Sequence, residues 1–189
     1  KNRALRRKKR QRRSVPVAAI VGYTNAGKST LLNRITRSNV IAEDKLFATL
    51  DPSSRRFRFP MEREIILTDT VGFIQDLPKT LIQAFKATLE ELNEANILLH
   101  VLDASDPNVE EHMISVNKIL SDLDLDESPI MLVWNKADNT HPTDMERLIN
   151  QYGGLALSAE TGEGCDLLLN RVEEALFVER VRSKGTIYS

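Results

Sequence analysis

One stretch limits the folds open to this chain more than any other: Ala19-Ile20-Val21-Gly22-Tyr23-Thr24-Asn25-Ala26-Gly27-Lys28-Ser29-Thr30. An apolar run stops at a glycine, a tight loop follows, and a helix-forming segment begins at Leu31, Leu32, Asn33 and Arg34. The spacing G-x-x-x-x-G-K-S between strand and helix is that of a loop that cradles phosphate. Gly22 and Gly27 permit backbone angles that a Cβ forbids. The N–H groups of the loop, Tyr23 to Ala26 between the two glycines, can therefore converge on one anion. The following helix aims its positive end at the same point. Lys28 adds a full charge at the β- and γ-phosphates, the Ser29 hydroxyl can ligate Mg²⁺, and Thr30 closes the nucleotide-facing run.

At 189 residues the chain suits one domain with a substantial core. A hydrophobic content of 41% with 28% charged residues is that of a soluble globular protein. No apolar run approaches the roughly 20 residues that a membrane-crossing helix needs. The basic amino end has no apolar core and is not a secretory signal. Cys165 is the single cysteine, which excludes an internal disulfide and agrees with a reducing, cytoplasmic setting. The net charge of −1 hides an asymmetry: residues 1–13 hold nine Lys or Arg and no acid, leaving 17 bases against 27 acids elsewhere. The arm, not the acidic body, is the candidate for contact with nucleic acid. The chain begins at Lys1 and not Met, so the expectation is a piece of a longer protein.

Three segments are expected: a basic linker or helix end over 1–14, a nucleotide-binding domain over 15–178, and a tail over 179–189. Within the domain, Val15 to Val21 reads as a strand buried on both faces, because it is nearly all apolar. Lys28 to about Arg37 reads as a helix. Ser38 to Ser54 is a long polar loop, of the kind that is usually functional. Arg55 to Phe59 and Glu64 to Thr68 read as strands joined by Pro60-Met61-Glu62-Arg63. Leu81, Phe85, Thr88, Leu89 and Leu92 fall at helical spacing. Asn96 to Asp103 is a further buried strand, with Asp106 and Pro107 opening the next helix. Pro129 to Trp134 is a strand, Pro142 to Asn150 a helix, Gly154 to Leu157 a strand, and Leu167 to Phe177 the last helix. This alternation predicts an α/β fold with a mostly parallel sheet and helices on both faces, its ligand at the carboxyl ends of the strands.

Two more loops follow strands. Asp69-Thr70-Val71-Gly72 comes 41 residues after Lys28. Asp69 can hold a metal-bound water there, and Gly72 lets its N–H approach a γ-phosphate. Asn135-Lys136-Ala137-Asp138 chooses the base. The Asp138 carboxylate can accept from guanine N1–H and its exocyclic amine, a donor pair adenine lacks. Asn135 can bond the base edge and brace the phosphate loop, and Lys136 can lay its stem along the base. Ser158-Ala159, after the last strand, can offer an N–H to guanine O6. His100 reads as a satisfied core histidine, Trp134 as packing, and Cys165 as a helix-start residue without a base to activate it.

With these loops in this order, the chain resembles the Ras-like, translation-factor-related GTPases over about residues 15–178. The runs Gly22 to Ser29, Leu46-Phe47-Ala48-Thr49-Leu50-Asp51, Asp69 to Phe73 and Leu98 to Pro107 narrow the resemblance to the HflX family. It implies a Ras-like P-loop GTPase domain with a six-stranded sheet, binding GTP or GDP and Mg²⁺. It also implies hydrolysis of GTP and action on the large ribosomal subunit and its rRNA, in a protein that splits stalled or idle ribosomes. Relatives of this kind carry a further amino-terminal domain, so residues 1–13 would end a helical linker. Thr49 carries over as the switch threonine, touching Mg²⁺ and the γ-phosphate. It is also the only threonine between Arg37 and Thr68, with Ser53 and Ser54 as substitutes. Phe47 is counted with the nucleotide-binding residues. Lys28, Thr49 and Gly72 make the catalytic set, and Ser29, Thr49 and Asp69 (through water) the metal set. A monomer is expected.

The position after D-x-x-G, where many relatives carry a water-orienting glutamine, is Phe73, with Gln75 two residues on. No arginine lies within the Ser38–Ser54 loop, although Arg37 and Arg55 flank it. Slow hydrolysis is therefore expected without a partner. K⁺ on the Asn25 oxygen is one source of the missing charge; the other reading of Asn25 is a brace for the turn. Two alternatives stand beside the ribosomal one: a GTPase serving tRNA modification or another RNA, and a P-loop phosphotransferase. The N-K-A-D loop speaks against the second.

Overall fold

The computed structural model describes residues 15–37, 54–59, 63–69, 92, 95–122, 125 and 128–178. Six strands form one sheet: β1 (Val17–Val21), β2 (Ser54–Arg58), β3 (Glu64–Asp69), β4 (Ile97–Asp103), β5 (Ile130–Asn135) and β6 (Leu155–Ala156). Their spatial order is β2-β3-β1-β4-β5-β6. Four neighbouring pairs are parallel; only β2 runs antiparallel to β3. The helices are α1 (Lys28–Arg37), α2 (Val109–Asp122), α3 (Pro142–Tyr152) and α4 (Cys165–Glu173), the last continuing as a π-helical stretch over Glu174–Val178.

Alternation along the central strands sends residues to two different cores. Ile20 of β1 and Leu99 and Val101 of β4 join Leu31 and Ile35 of α1 and Leu168 and Val172 of α4. The intervening Ala19, Val21 and Leu98 face Val116 and Leu120 of α2. Leu102 and Trp134 meet Val109 and Met113 of α2 and Leu148 of α3. Helices thus cover both faces, as the unbroken apolar strands required. The edge strand β2 shows the opposite pattern: Arg55, Arg56 and Arg58 are exposed while Phe57 and Phe59 are buried. Charged side chains on an edge discourage pairing with another sheet.

The predicted elements are present among the described residues, with ends shifted by a few residues. Asp106 does not cap α2 directly. Its Oδ1 accepts from Asn108 N at 2.8 Å, making a turn ahead of a helix that begins at Val109. The last helix starts earlier than Leu167, at Cys165, behind Gly164 in a left-handed conformation. The predicted helix around Leu81–Leu92, the Ser38–Ser53 part of the long loop, the basic arm and the tail lie outside the described residues.

His100 departs from its reading. It is fully buried on β4, but neither ring nitrogen has a hydrogen-bond partner among the described residues. Strand alternation puts it on the same face as Leu98 and Leu102, whose neighbours are apolar. Burial, and then the Lys28 charge, push its pKa down to about 4. It is a buried core histidine whose lowered pKa favours the neutral ring and whose nitrogens have no partner among the described residues.

Candidate functional site

The carboxyl ends of β1, β3, β4 and β5 lie along one edge of the sheet, with Ile20 opposite Asp69, Val21 opposite His100, and Asp103 opposite Asn135. Loops from separate parts of the sequence therefore meet above that edge. The phosphate loop passes so close to β4 that a Cβ on Gly22 would lie 2.2 Å from the Val101 carbonyl oxygen. A Cβ on Gly27 would lie 2.2 Å from Asn135 Nδ2. Gly22 (φ 154°) and Gly27 (φ 92°) also take left-handed backbone angles. Asn25 does so as well, with φ 61°, a conformation asparagine tolerates better than most side chains. The loop is a formed cradle whose walls leave no room for side chains at its two glycines.

Lys28 is buried to 7% exposure, and its Nζ donates to the Tyr23 carbonyl at 2.7 Å, folding the charge back over the loop. Leu31 N–H donates to the Gly27 carbonyl, which locks the first turn of α1 onto the loop. Ala26 is buried, whereas Thr24, Asn25, Ser29 and Thr30 are exposed around the cradle. The Tyr23 ring leaves the loop and stacks on His112 of α2, with centroids 3.8 Å apart and planes within 8°.

Asn135 joins three loops. Its side chain is buried; Nδ2 donates to the Ala26 carbonyl at 2.8 Å, and Oδ1 accepts from Ala159 N–H at 2.9 Å. The Ala159 N–H that the sequence offers to guanine O6 is therefore shared with Asn135, and the Ser158 N–H donates to the Glu163 carbonyl. Lys136 takes a left-handed φ of 62°, unfavourable for a residue with a long side chain. Its carbonyl accepts from Asn139 N and Thr140 Oγ1, and its Nζ pairs with Asp103 Oδ2 at 2.5 Å. Burial raises the Asp103 pKa, but hydrogen bonds from Lys136 and Ser105 outweigh it and hold the carboxyl below its usual range. Asp138 sits exposed in the short 3₁₀ turn Ala137–Asn139.

Among the residues picked from sequence, the structure thus brings together Gly22 to Thr30, Asn135, Lys136, Asp138, Ser158 and Ala159. Asp69 ends β3 beside Ile20, but its side chain, like Phe47, Thr49, Gly72, Phe73 and Gln75, lies outside the described residues. Sequence reading missed Asp103, Arg34 and His112. Asp103 was findable, because it ends a parallel strand at the ligand-binding edge. Trp134 is core, as expected, its Nε1 donating to the Gly153 carbonyl at 2.7 Å. Cys165 is buried, and burial pushes its thiol pKa up, away from a reactive thiolate.

A phosphate cradle at the first strand, a strand-end aspartate and an N-K-x-D loop tied to the cradle by its own asparagine define a P-loop GTPase domain. The chain belongs to the 50S ribosome-binding GTPase family, whose model matches residues 17–136. It is similar to GTPase HflX of Caldanaerobacter subterraneus subsp. tengcongensis, 49% identical over 181 residues that cover 95% of this chain and 41% of that protein. GTPase HflX of Escherichia coli (strain K12) is 47% identical, with coverage of 93% and 42%. The chain spans about two fifths of the length of these curated relatives. Among solved structures, a GTP-binding protein from the archaeon Sulfolobus solfataricus in complex with GDP aligns with a TM-score of 0.70 at 25% identity, covering 92% of this chain and 56% of that one. The G-domain of FeoB from Methanococcus jannaschii shares the fold, with a TM-score of 0.61 at 18% identity, covering 85% and 97%. Among the described residues no helix is long and apolar enough to cross a membrane.

Proposed function

We propose that this domain binds GTP, hydrolyses it to GDP and phosphate, and serves as the switch of a protein that acts on the large ribosomal subunit and splits stalled or idle ribosomes. The observation that carries the nucleotide part is the Asn135 side chain, which joins the base loop, the phosphate cradle and the Ser158-Ala159 loop. In this reading, the N–H groups of Gly22 to Lys28 hold the α- and β-phosphates, and Lys28 stabilises charge on the β- and γ-phosphates. Ser29, Thr49 and Asp69 (through water) would hold Mg²⁺, which would supply positive charge to offset that of the phosphates. Gly72 would offer its N–H to the γ-phosphate. Asp138 reads the N1–H and amine of guanine, and the Ser158-Ala159 loop reads O6. Ser29, an exposed residue beside the cradle, and the close-packed glycines fit these groups. The ribosomal part is supported by family membership and by the HflX relatives; the basic arm would add salt-dependent contact with rRNA.

Replacing Asp138 with Asn tests the base assignment. The change removes an acceptor and presents a donor to guanine, which costs about 2–4 kcal/mol in GDP binding at a desolvated site. Xanthosine diphosphate, with a carbonyl in place of the amine, should bind the variant better than the wild type. Calorimetry with both nucleotides decides it, and unchanged GDP affinity would sink the assignment.

A further inference from the structure

Arg34 lies in the second turn of α1, six residues after Lys28, with no role in the reading above. Its guanidinium crosses to the opposite end of the site: Nε donates to the Ala159 carbonyl at 3.1 Å and Nη2 to the Glu160 carbonyl. Its stem lies over Gly162, where a Cβ would stand 3.7 Å from Arg34 Cδ. One side chain thus grips two consecutive peptide units of the loop that follows β6. Only the arginine fork presents two donors spaced to do so; a lysine ammonium has one donor centre.

The consequence follows from peptide planarity. Among the described residues every peptide bond is trans, so a carbonyl and the next N–H point in opposite directions. Holding the Ala159 carbonyl toward α1 turns the Glu160 N–H away from α1. The Ala159 N–H on the other side is already fixed by Asn135 Oδ1. The N–H groups of Ala159 and Glu160 are therefore both oriented, the first by Asn135 and the second by Arg34. The same helix that carries Lys28 to the phosphates carries the arginine that sets the base loop.

The geometry points to Arg34 as a positioning residue for recognition of the purine 6-keto oxygen, holding the Ala159–Glu160 backbone where it can donate to that atom. This rests on the reading that the site takes a guanine nucleotide. It separates two halves of base recognition: Asp138 senses the 2-amine and N1–H, whereas Arg34 acts through the loop on O6.

Three diphosphates distinguish these halves. 6-Thio-GDP keeps the amine and N1–H but replaces O6 with sulfur, a poor acceptor; IDP keeps O6 and N1–H but lacks the amine. Dissociation constants for GDP, 6-thio-GDP and IDP would be measured on the full chain, wild type, Arg34→Ala, Arg34→Lys and Asp138→Asn. The wild type should prefer GDP over 6-thio-GDP. Arg34→Ala should narrow that preference roughly fivefold, the scale of one loosened hydrogen bond, and leave the GDP-to-IDP ratio unchanged. Arg34→Lys, with its charge and stem retained, should fall between, and it carries the test if the alanine variant does not fold. An equal loss for all three nucleotides would overturn the proposal and make Arg34 a strut of the fold. A wild type indifferent to sulfur at position 6 would overturn it too. Failure of the guanine reading shows separately, as an unchanged GDP-to-IDP ratio in Asp138→Asn.

Discussion

His100 is where a single residue sets a measurable property of the domain. Its folded pKa of about 4 lies below the unfolded value of 6.5, because burial and the Lys28 charge disfavour the imidazolium. The unfolded chain therefore takes up the proton first. The stability tied to the neutral ring is complete above pH 6.5 and is lost as pH falls toward 4, by about 3 kcal/mol in all. Urea midpoints at pH 7 and pH 4.5 should drop steeply for the wild type and much less for His100→Leu. The leucine variant should be at least as stable as the wild type at pH 7, since it also removes from the core two nitrogens that have no hydrogen-bond partner among the described residues. Equal pH dependence in the two proteins would refute this account. Asn135 and Lys136 show the same scale differently. Their identities follow from the motif, but their roles as a three-loop tie and an Asp103-anchored left-handed residue arise from contacts 24 to 109 positions away in sequence, or 33 for the Asp103 pair.

At the scale of elements, α1 is a short rod with work at two ends. Its amino end is locked to the phosphate loop, and its second turn grips the Ala159–Glu160 backbone. The stacking of Tyr23 on His112 ties the same loop to α2, so the cradle is held from both helical layers. The basic arm is the other element with a distinct physical character, nine positive charges within residues 1–13. Phosphate contacts release counterions, so binding through the arm weakens linearly in log salt. Deleting residues 1–13 should flatten the salt dependence of cosedimentation with large ribosomal subunits. An unchanged slope would assign the arm a linker role only.

For the whole molecule, the expected behaviour is tight nucleotide binding with slow turnover. Phe73 stands where a water-orienting glutamine is common, and a phenyl ring cannot orient water. Docking on the large subunit is expected to supply the missing geometry, with K⁺ at the exposed, left-handed Asn25 as a second source of charge. Phosphate release would be followed in K⁺, in Na⁺ and with added subunits, for wild type and Asn25→Ala. Turnover should be slow in Na⁺ and rise with subunits. Fast basal turnover in Na⁺ contradicts the whole scheme, and subunit stimulation that ignores K⁺ and Asn25→Ala removes only the cation.

The fold class and the order of the loops were legible in the residues themselves, because apolar runs, glycine spacing and the G-K-S and N-K-x-D patterns are local signals. Periodicity of two faces per strand is written into β1 and β4, and so is the burial of both. What tertiary structure decided is who holds whom. Ala159 N–H went to Asn135, Lys136 to Asp103, Arg34 to two carbonyls 125 and 126 positions on, and His100 to no described partner. A hydrogen bond has a range of about 3 Å, and no pattern in a chain says which distant groups will come within it. Only the packing of the helices on the sheet sets those distances.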